Sequence, residues 1–213
     1  MKPLSDCLLY AFVDTAYLRG RAAQQMAAQL CEGGADLIQL RAKQSSLTEI
    51  RSFAQSILPI TQAAGVGLVI NDHLSIAQDL GAELCHLGQE DFFDVGRSHV
   101  SELPTFKPQP RIGLSTHSPE QAKRALAAGA SYVAIGPVYA TGTKPTAKPA
   151  TLDYVRWAAA NVNIPWFAIG GINLRNLDEV LAAGARRICV VSAILNSNDV
   201  TRACREFKER LVA

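Results

Sequence analysis

Eight short apolar runs, each followed by a longer segment with helical spacing, constrain the fold of this sequence more than any other feature. Most of the runs are continuously apolar, which is typical of parallel strands covered on both faces. The predicted strands lie near residues 8–13, 36–41, 67–70, 84–87, 111–114, 131–136, 165–169 and 187–191. The predicted helices lie near residues 19–32, 47–63, 73–80, 93–102, 118–128, 151–161, 173–183 and 198–211.

The alternation of these elements over 213 residues defines the α/β class. It favours a single-domain (β/α)8 TIM barrel over residues 1–213, because such barrels need at least about 200 residues. The alternative is an open doubly wound sheet, for which about six strands would suffice. Gly34, Gly81, Gly129 and Gly184 each stand between a predicted helix and a predicted strand, where a left-handed residue stops the helix.

Charge and cysteine usage argue against several classes of protein. Lys and Arg number 21 against 19 Asp and Glu, and the charges form no blocks, which argues against a nucleic-acid-binding face. No apolar run approaches the roughly 20 residues of a membrane helix. The five cysteines form no CxxC pair, which is typical of reduced thiols in a cytoplasmic protein. The sequence leaves open whether the chain forms a homo-oligomer.

Polar residues cluster where the predicted strands end, and in a barrel this end holds the working groups. In the second strand, Gln39, Arg41 and Lys43 are spaced two apart, so their side chains share one side of the extended chain. The other strand ends hold Asn71 and Asp72, Asp91, Ser115 and His117, the segment from Thr141 to Lys144, Gly170 and Gly171, and Val191 and Ser192.

Asp72 and Asp91 follow neighbouring predicted strands. Each could be a helix N-cap, which is the usual role of a single aspartate at such a position. Because the two carboxylates would end adjacent strands, they also suit Mg²⁺, which binds one or two carboxylates, keeps several waters and bridges substrate phosphates. Arg41 and Lys43 nearby are either solvated charges or partners of an anion.

A second anion site is predicted across strands six to eight. Gly170–Gly171 forms either a tight turn or, together with the amides of residues 191–192, a phosphate cradle. In the segment 141–144, Gly142 lets backbone amides approach an anion and Lys144 adds a point charge. A basic and carboxylate cluster facing an anion cradle indicates transfer of a group from a diphosphate ester to a phosphate-bearing acceptor.

His117 has two interpretations. A single histidine near a strand end is usually a hydrogen-bonded structural group. Its position at the same barrel mouth keeps a proton-transfer role open.

Seven phrases of the sequence resemble the thiamine phosphate synthase family over essentially the whole chain. They are QLRAK (39–43), ND (71–72), HLGQED (86–91), GLSTHS (113–118), GPVYATGTKP (136–145), AIGGIN (168–173) and VVSAI (190–194). The resemblance implies a (β/α)8 barrel that joins 4-amino-2-methyl-5-pyrimidinylmethyl diphosphate to a thiazole ethyl phosphate. The products would be thiamine phosphate and pyrophosphate, with CO₂ when the thiazole has a carboxylate.

The resemblance also implies roles for individual residues. The pyrimidine diphosphate would be bound by Gln39, Leu40, Arg41, Ala42, Lys43, Asn71, Ser115 and Lys144, of which Arg41, Lys43, Ser115 and Lys144 would be catalytic. Mg²⁺ would be bound by Asp72 and Asp91. The thiazole phosphate would be bound by Thr141, Gly142, Thr143, Gly171, Val191 and Ser192, with His117 as an auxiliary residue. The implied mechanism is dissociative: pyrophosphate leaves, and the thiazole nitrogen traps the pyrimidinylmethyl cation.

Two alternatives stand beside this interpretation. A thiazole tautomerase is similar in fold and also resembles the chain around His117, and a phosphate-sensing barrel would bind ligands without catalysis. The complete pyrimidine and Mg²⁺ set favours the synthase over both. The chain departs from the family pattern at Ala150-Thr151, where many members have a glycine, and in the long segment 92–110. Both departures predict altered packing rather than lost activity.

Overall fold

A computed structural model describes residues 1–104, 109–141 and 149–212. Eight parallel strands form a closed barrel in chain order, and the first strand pairs with both the second and the eighth. The strands are β1 Leu9–Asp14, β2 Leu37–Arg41, β3 Gly67–Asn71, β4 Leu84–Leu87, β5 Arg111–Thr116, β6 Tyr132–Ile135, β7 Trp166–Ile169 and β8 Ile188–Cys189. This closure confirms the predicted barrel and excludes the open doubly wound sheet.

Helices follow the strands around the outside of the barrel. They are α1 Ala23–Glu32, α2 Leu47–Ala63, α3 Leu74–Leu80, α4 Gln89–Phe92, α5 Pro119–Ala127, α6 Thr151–Asn161, α7 Leu177–Ala182, α8 Ser192–Leu195 and α9 Val200–Val212. In the part of the chain that the structure describes, no helix combines the length and apolarity needed to span a membrane.

The predicted helix stops are confirmed. Gly34, Gly81, Gly129 and Gly184 have φ angles of +86°, +67°, +79° and +102°. A side chain would be strained in this left-handed region, so glycine ends the helix and turns the chain toward the next strand.

The predicted helix over 93–102 is wrong. The helix after β4 is instead the four-residue α4, and a 3-10 turn covers Val100–Glu102. Gly96 between them has a φ of +87°, which a right-handed helix cannot accommodate. The short α8 directly after β8 was also missed, because four residues are too few to show a helical period.

Thr151, the second residue of the Ala150-Thr151 pair where many family members have a glycine, begins α6 with a φ of +62°. A β-branched residue is strained in the left-handed region, whereas glycine is not. The departure noted in the sequence therefore places backbone strain at this helix start.

Aromatic side chains fill the centre of the barrel. Tyr10, Tyr132 and Phe167 are all buried, and the ring of Phe167 lies 5.3 Å from that of Tyr10 and 5.9 Å from that of Tyr132 between centroids. These rings close the barrel from within, so the space above them at the carboxyl ends of the strands has a packed floor.

At the opposite, amino-terminal end of the barrel, Asp36 is buried directly before β2. Its carboxylate accepts hydrogen bonds from the amides of Leu8 at 2.7 Å and Leu9 at 2.9 Å. It also pairs with the ammonium groups of Lys2 and Lys208, each at 2.6 Å. One carboxylate thus joins the N-terminal segment, β1 and α9.

Candidate active site

A cavity of about 200 Å³ opens at the carboxyl ends of the strands. Its lining includes twelve of the predicted site residues: Gln39, Arg41, Lys43, Asn71, Asp72, Asp91, Ser115, His117, Thr141, Gly171, Val191 and Ser192. Leu40 and Ala42 alternate with the polar residues of the second strand and are buried on its other face, so their side chains do not line the cavity. Gly142, Thr143 and Lys144 lie outside the described residues.

Arg41 is held in place by a buried partner that sequence reasoning missed. Its guanidinium donates to the carboxylate of Asp14 at 2.7 Å, and the Asp14 side chain is 1% exposed. The Asp14 carboxylate also accepts a hydrogen bond from the amide of Ala16 at 3.0 Å. An arginine fixed in this way presents its remaining donors in a defined direction.

Asp72 follows β3 in a left-handed conformation, with a φ of +63°. Its carboxylate accepts a hydrogen bond from the side-chain amide of Asn71 at 2.7 Å and pairs with the ammonium of Lys43 at 2.7 Å. The N-cap of α3 is His73, so the N-cap interpretation of Asp72 is wrong. The left-handed turn instead directs Asp72 to the cavity that it lines.

Asp91 lies in α4, whose N-cap is Gly88, so Asp91 is not an N-cap either. Its carboxylate accepts a hydrogen bond from the amide of Gly88 at 3.2 Å. Burial raises the pKa of Asp91, and the charge of neighbouring Asp72 raises it further, against the opposing effects of Gly88 and Lys43. Two carboxylates therefore repel each other at one side of the cavity, and a cation placed there would relieve that repulsion.

Five side chains form a continuous hydrogen-bonded row across the floor of the cavity. Gln39 donates from Nε2 to Tyr10 Oη at 2.6 Å, and Tyr10 Oη lies 3.3 Å from Tyr132 Oη. His86 lies between Tyr132 Oη, 3.1 Å from its Nδ1, and Ser115 Oγ, 2.9 Å from its Nε2. Burial lowers the pKa of His86 to about 4, so the imidazole is neutral at neutral pH.

His117 is anchored through one ring nitrogen. Its Nδ1 donates to the carbonyl oxygen of Gly136 at 2.5 Å, and its ring lines the cavity. The bond agrees with the hydrogen-bonded structural interpretation, and the proton-transfer role stays a prediction. The same bond assigns the proton of the neutral ring to Nδ1, so Nε2 is left as an acceptor.

Gly170 and Gly171 permit a close approach between two loops. Their φ angles are +103° and +67°. A Cβ atom on Gly170 would lie 2.4 Å from Pro137 Cβ, and one on Gly171 would lie 2.7 Å from the carbonyl oxygen of Ala140. Within the described chain, the amides of Gly171, Val191 and Ser192 have no recorded hydrogen-bond acceptor. Three amides around one side of the cavity are thus available to an anion.

Tyr10, Asp14 and His86 were not singled out from the sequence, although each shapes the site. Tyr10 and His86 interrupt the otherwise apolar phrases LLYAFV and LCHL. A polar side chain in a strand that is covered on both faces needs a buried partner. That signal could have identified them as members of an interior network.

Fold and site together define a (β/α)8 barrel with carboxylates and basic side chains on one side of its cavity and open amides on the other. The family model described as thiamine monophosphate synthase matches residues 9–194, and the chain belongs to this family.

Individual relatives agree with this assignment. A curated thiamine-phosphate synthase of Thermus thermophilus is 45% identical over 181 residues, which cover 84% of each chain. One from Halalkalibacterium halodurans is 35% identical over 206 residues, covering 96% of this chain and 95% of that protein. The solved structure of a thiamine phosphate pyrophosphorylase from Pyrococcus furiosus superposes with a TM-score of 0.82 and 28% identity, covering 97% of this chain and 96% of that one.

Proposed function

We propose that this protein joins the pyrimidinylmethyl group of a pyrimidinylmethyl diphosphate to the ring nitrogen of a thiazole ethyl phosphate. The products are thiamine phosphate and pyrophosphate. The observation that carries the proposal is the meeting of Arg41, Lys43, Asp72 and Asp91 in one cavity, opposite the open amides of residues 171 and 191–192. Family membership supports the same reaction.

The two sides of the cavity suit the two substrates. The fixed guanidinium of Arg41 and the ammonium of Lys43 complement a diphosphate, which is the more highly charged group. The amides of Gly171, Val191 and Ser192 complement the smaller phosphate of the thiazole. Thr141 also lines the cavity, and we assign Gly142, Thr143 and Lys144 to substrate binding from the family motif.

The carboxylates fit Mg²⁺. No group of three or more His, Cys, Asp or Glu side chains arranged to hold a metal occurs in residues 1–104, 109–141 and 149–212. Two neighbouring carboxylates remain, and Mg²⁺ is suited to one or two carboxylates together with water and substrate phosphate. Asp72 and Asp91 would hold the ion, and when bound it would neutralise charge on the departing pyrophosphate.

The residues of the chain would favour loss of pyrophosphate by binding its charge as it develops. When the C–O bond to the diphosphate breaks, both electrons leave with oxygen, and Arg41 and Lys43 face that charge. Lys43 pairs with Asp72 in the structure, so it must turn toward the diphosphate or bridge the two. The acceptor phosphate, held on the amides opposite, places the thiazole nitrogen near the carbon that is left electron-deficient.

Incubation of the purified protein with both phosphorylated substrates and Mg²⁺ tests this function. We expect release of pyrophosphate and formation of thiamine phosphate in equal amounts, with no product when the thiazole phosphate is left out. Lys43→Met should lose most of the activity, whereas Lys123→Met, whose ammonium lies 5.9 Å from the centroid of the Trp157 ring on the outer surface, should not.

Two other outcomes would overturn the proposal. Tautomerisation of a carboxythiazole phosphate without thiamine phosphate formation would indicate a tautomerase. Binding of both substrates without any conversion would indicate a phosphate-sensing barrel.

A further inference from the structure

The row of hydrogen bonds below the cavity joins two cavity-lining residues whose strands are three positions apart in the barrel. Gln39 is on β2 and Ser115 is on β5, and three buried side chains, Tyr10, Tyr132 and His86, connect them. None of these three has a role in the function proposed above. Within the described chain, the side-chain hydrogen bonds of all three nevertheless lie entirely within the row.

The direction of the row follows from counting hydrogens. Gln39 donates from Nε2 to Tyr10 Oη, whose one other side-chain partner in the described residues is Tyr132 Oη, so we assign the hydrogen of Tyr10 to that second bond. Tyr132 then donates to His86 Nδ1, which has to be unprotonated. The remaining ring hydrogen is on Nε2, which donates to Ser115 Oγ at 2.9 Å.

The end of the row is the Ser115 hydroxyl in the cavity. Its oxygen already accepts from His86, so its hydrogen is directed away from the imidazole. A histidine protonated on Nδ1 would face the donating Tyr132 hydroxyl with a second hydrogen, and the sequence of donors would break. All five groups are therefore consistent with a single direction.

We propose that Gln39, acting through Tyr10, Tyr132 and His86, fixes the Ser115 hydroxyl as a hydrogen-bond donor toward an acceptor atom of the substrate. Tyr10, Tyr132 and His86 are positioning residues, since they act through Ser115. This proposal deepens the proposed function and rests on it only for the identity of the substrate, the pyrimidine diphosphate. The donor direction itself is a property of the protein alone.

The imidazole tautomer tests the direction without any substrate. In ¹⁵N-labelled protein at neutral pH, long-range ¹H–¹⁵N correlation spectra should show His86 with the proton on Nε2 and none on Nδ1. The His86 signals are assigned from their loss in His86→Gln, or by elimination with His73→Gln, His99→Gln and His117→Gln if that variant does not fold. A proton on Nδ1, in either a neutral or a charged ring, would overturn the proposal.

Whether the row sets the tautomer of His86 is tested by removing hydrogen-bonding groups of the row that do not contact His86. Tyr10→Phe removes the donor to Tyr132, so the two neutral tautomers of His86 become closer in energy and the form with Nδ1 protonated should appear. Gln39→Leu should have the same effect although Gln39 makes no hydrogen bond to His86. An unchanged tautomer in both variants would show that the row does not set the direction.

Tyr154→Phe is the matched control. The Tyr154 hydroxyl is also buried in a hydrogen bond, which it donates to Thr116 Oγ1 at 2.7 Å, but it is outside the row. Like Tyr10→Phe, this substitution removes one buried phenol hydroxyl. Its His86 tautomer should equal that of the unmodified protein.

The kinetic test uses non-additivity. Tyr132→Phe should lower kcat/KM for the pyrimidine diphosphate about tenfold, the usual effect of one hydrogen bond to a charged or strongly polar group. Ser115→Ala should lower it by at least as much, and adding Tyr132→Phe to Ser115→Ala should lower it no further. Equal losses in both backgrounds would assign Tyr132 a merely structural role. If the unmodified protein has no synthase activity, the proposed function fails while the tautomer measurement still decides the direction of the row.

Discussion

The two ends of the barrel have opposite effects on the pKa of an aspartate, Asp36 at one end and Asp91 at the other. At the amino-terminal end, burial alone would raise the pKa of Asp36, but hydrogen bonds from Leu9, Lys2, Lys208 and Leu8 outweigh it and lower the pKa. At the carboxyl-terminal end, burial and the neighbouring charge of Asp72 combine to raise the pKa of Asp91. One carboxylate is fully partnered by the protein, and the other is not.

This difference separates a group that stabilises the fold from one that awaits a ligand. The ionised form of Asp36 is favoured by the native structure, so it contributes to stability. The ionised form of Asp91 is disfavoured until a cation arrives, so the protein is less stable for keeping it. Substitution of Asp91 should therefore lower activity and raise stability, whereas substitution of Asp36 should lower stability and leave activity unchanged.

The largest expected effect is on turnover. Asp91→Asn should lower Mg²⁺-dependent kcat by about 10²–10³-fold, since a metal contributes several kcal/mol to the transition state. Asp36→Asn should leave kcat within about twofold, because no part of Asp36 reaches the cavity. Steady-state pyrophosphate release measures both.

Asp94→Asn is the control for this comparison, because it makes the same change at an exposed position three residues further along the chain. It should behave like the unmodified protein. Full activity of Asp91→Asn would remove this carboxylate from the metal site.

The next effect is on the free energy of unfolding. Here Asp36→Asn, which leaves kcat unchanged, should be the more damaging variant and Asp91→Asn the less damaging one. Asp36→Asn should lower the free energy of unfolding by about 3 kcal/mol, because it leaves Lys208 beside a neutral group in a buried site. For a domain of this size the loss corresponds to a fall in Tm of about 6–12 °C. Glu83→Gln, at the same end but half exposed, should cost less than about 1 kcal/mol. Equal Tm values for Asp36→Asn and Glu83→Gln would contradict the stabilising role of the Asp36 carboxylate.

These predictions combine features that the sequence shows with features that it does not. The alternation of Gln39, Arg41 and Lys43 along β2 was predictable, because the two-residue period of a strand fixes which side chains share a face. The conformation of residues 93–102 was not predictable in the same way, because the left-handed turn at Gly96 lies inside the predicted helix and excludes it. Local patterns thus predict elements well and their ends less well.

Long-range partners explain most of what was missed in the site. Asp14 matters because it contacts Arg41, and His86 matters because it contacts Ser115, in each case more than 25 positions away. No local pattern encodes such a contact, which exists only once the barrel closes. The left-handed backbone of Asp72 is likewise set by the turn in which it lies.

A smaller effect is the pH dependence of the free energy of unfolding, measured without Mg²⁺. The folded pKa of Asp36 is below its ordinary value of 3.8, so its stabilisation is present above that pH and is lost as the pH falls through the folded pKa. The folded pKa of Asp91 is above 3.8, so its destabilisation grows as the pH rises from 3.8 through the folded pKa.

Asp91→Asn should therefore be more stable than the unmodified protein at pH 7, by no more than about 1 kcal/mol because the site is open to solvent. The gain should disappear below about pH 3.8. Urea unfolding between pH 3 and 7 measures the difference. A gain that is the same at every pH would indicate a cause other than the charge of Asp91.

The smallest expected effect is the difference in stability between removing Lys2 and removing Lys208, the two lysines that pair with Asp36. The Lys2 side chain is 40% exposed and the Lys208 side chain is 21% exposed, although their distances to the carboxylate are the same. Lys2→Ala should cost only about 0.5 kcal/mol, as is usual for a solvent-exposed ion pair, because Lys208 and two amides still partner the carboxylate. Lys208→Ala should cost more, since its stem packs near Gly34 at the end of α1. Urea unfolding of both variants at low and at 1 M salt measures this. A Lys2→Ala loss as large as that of Asp36→Asn would mean that the exposed lysine, and not the buried set of partners, holds the amino-terminal end together.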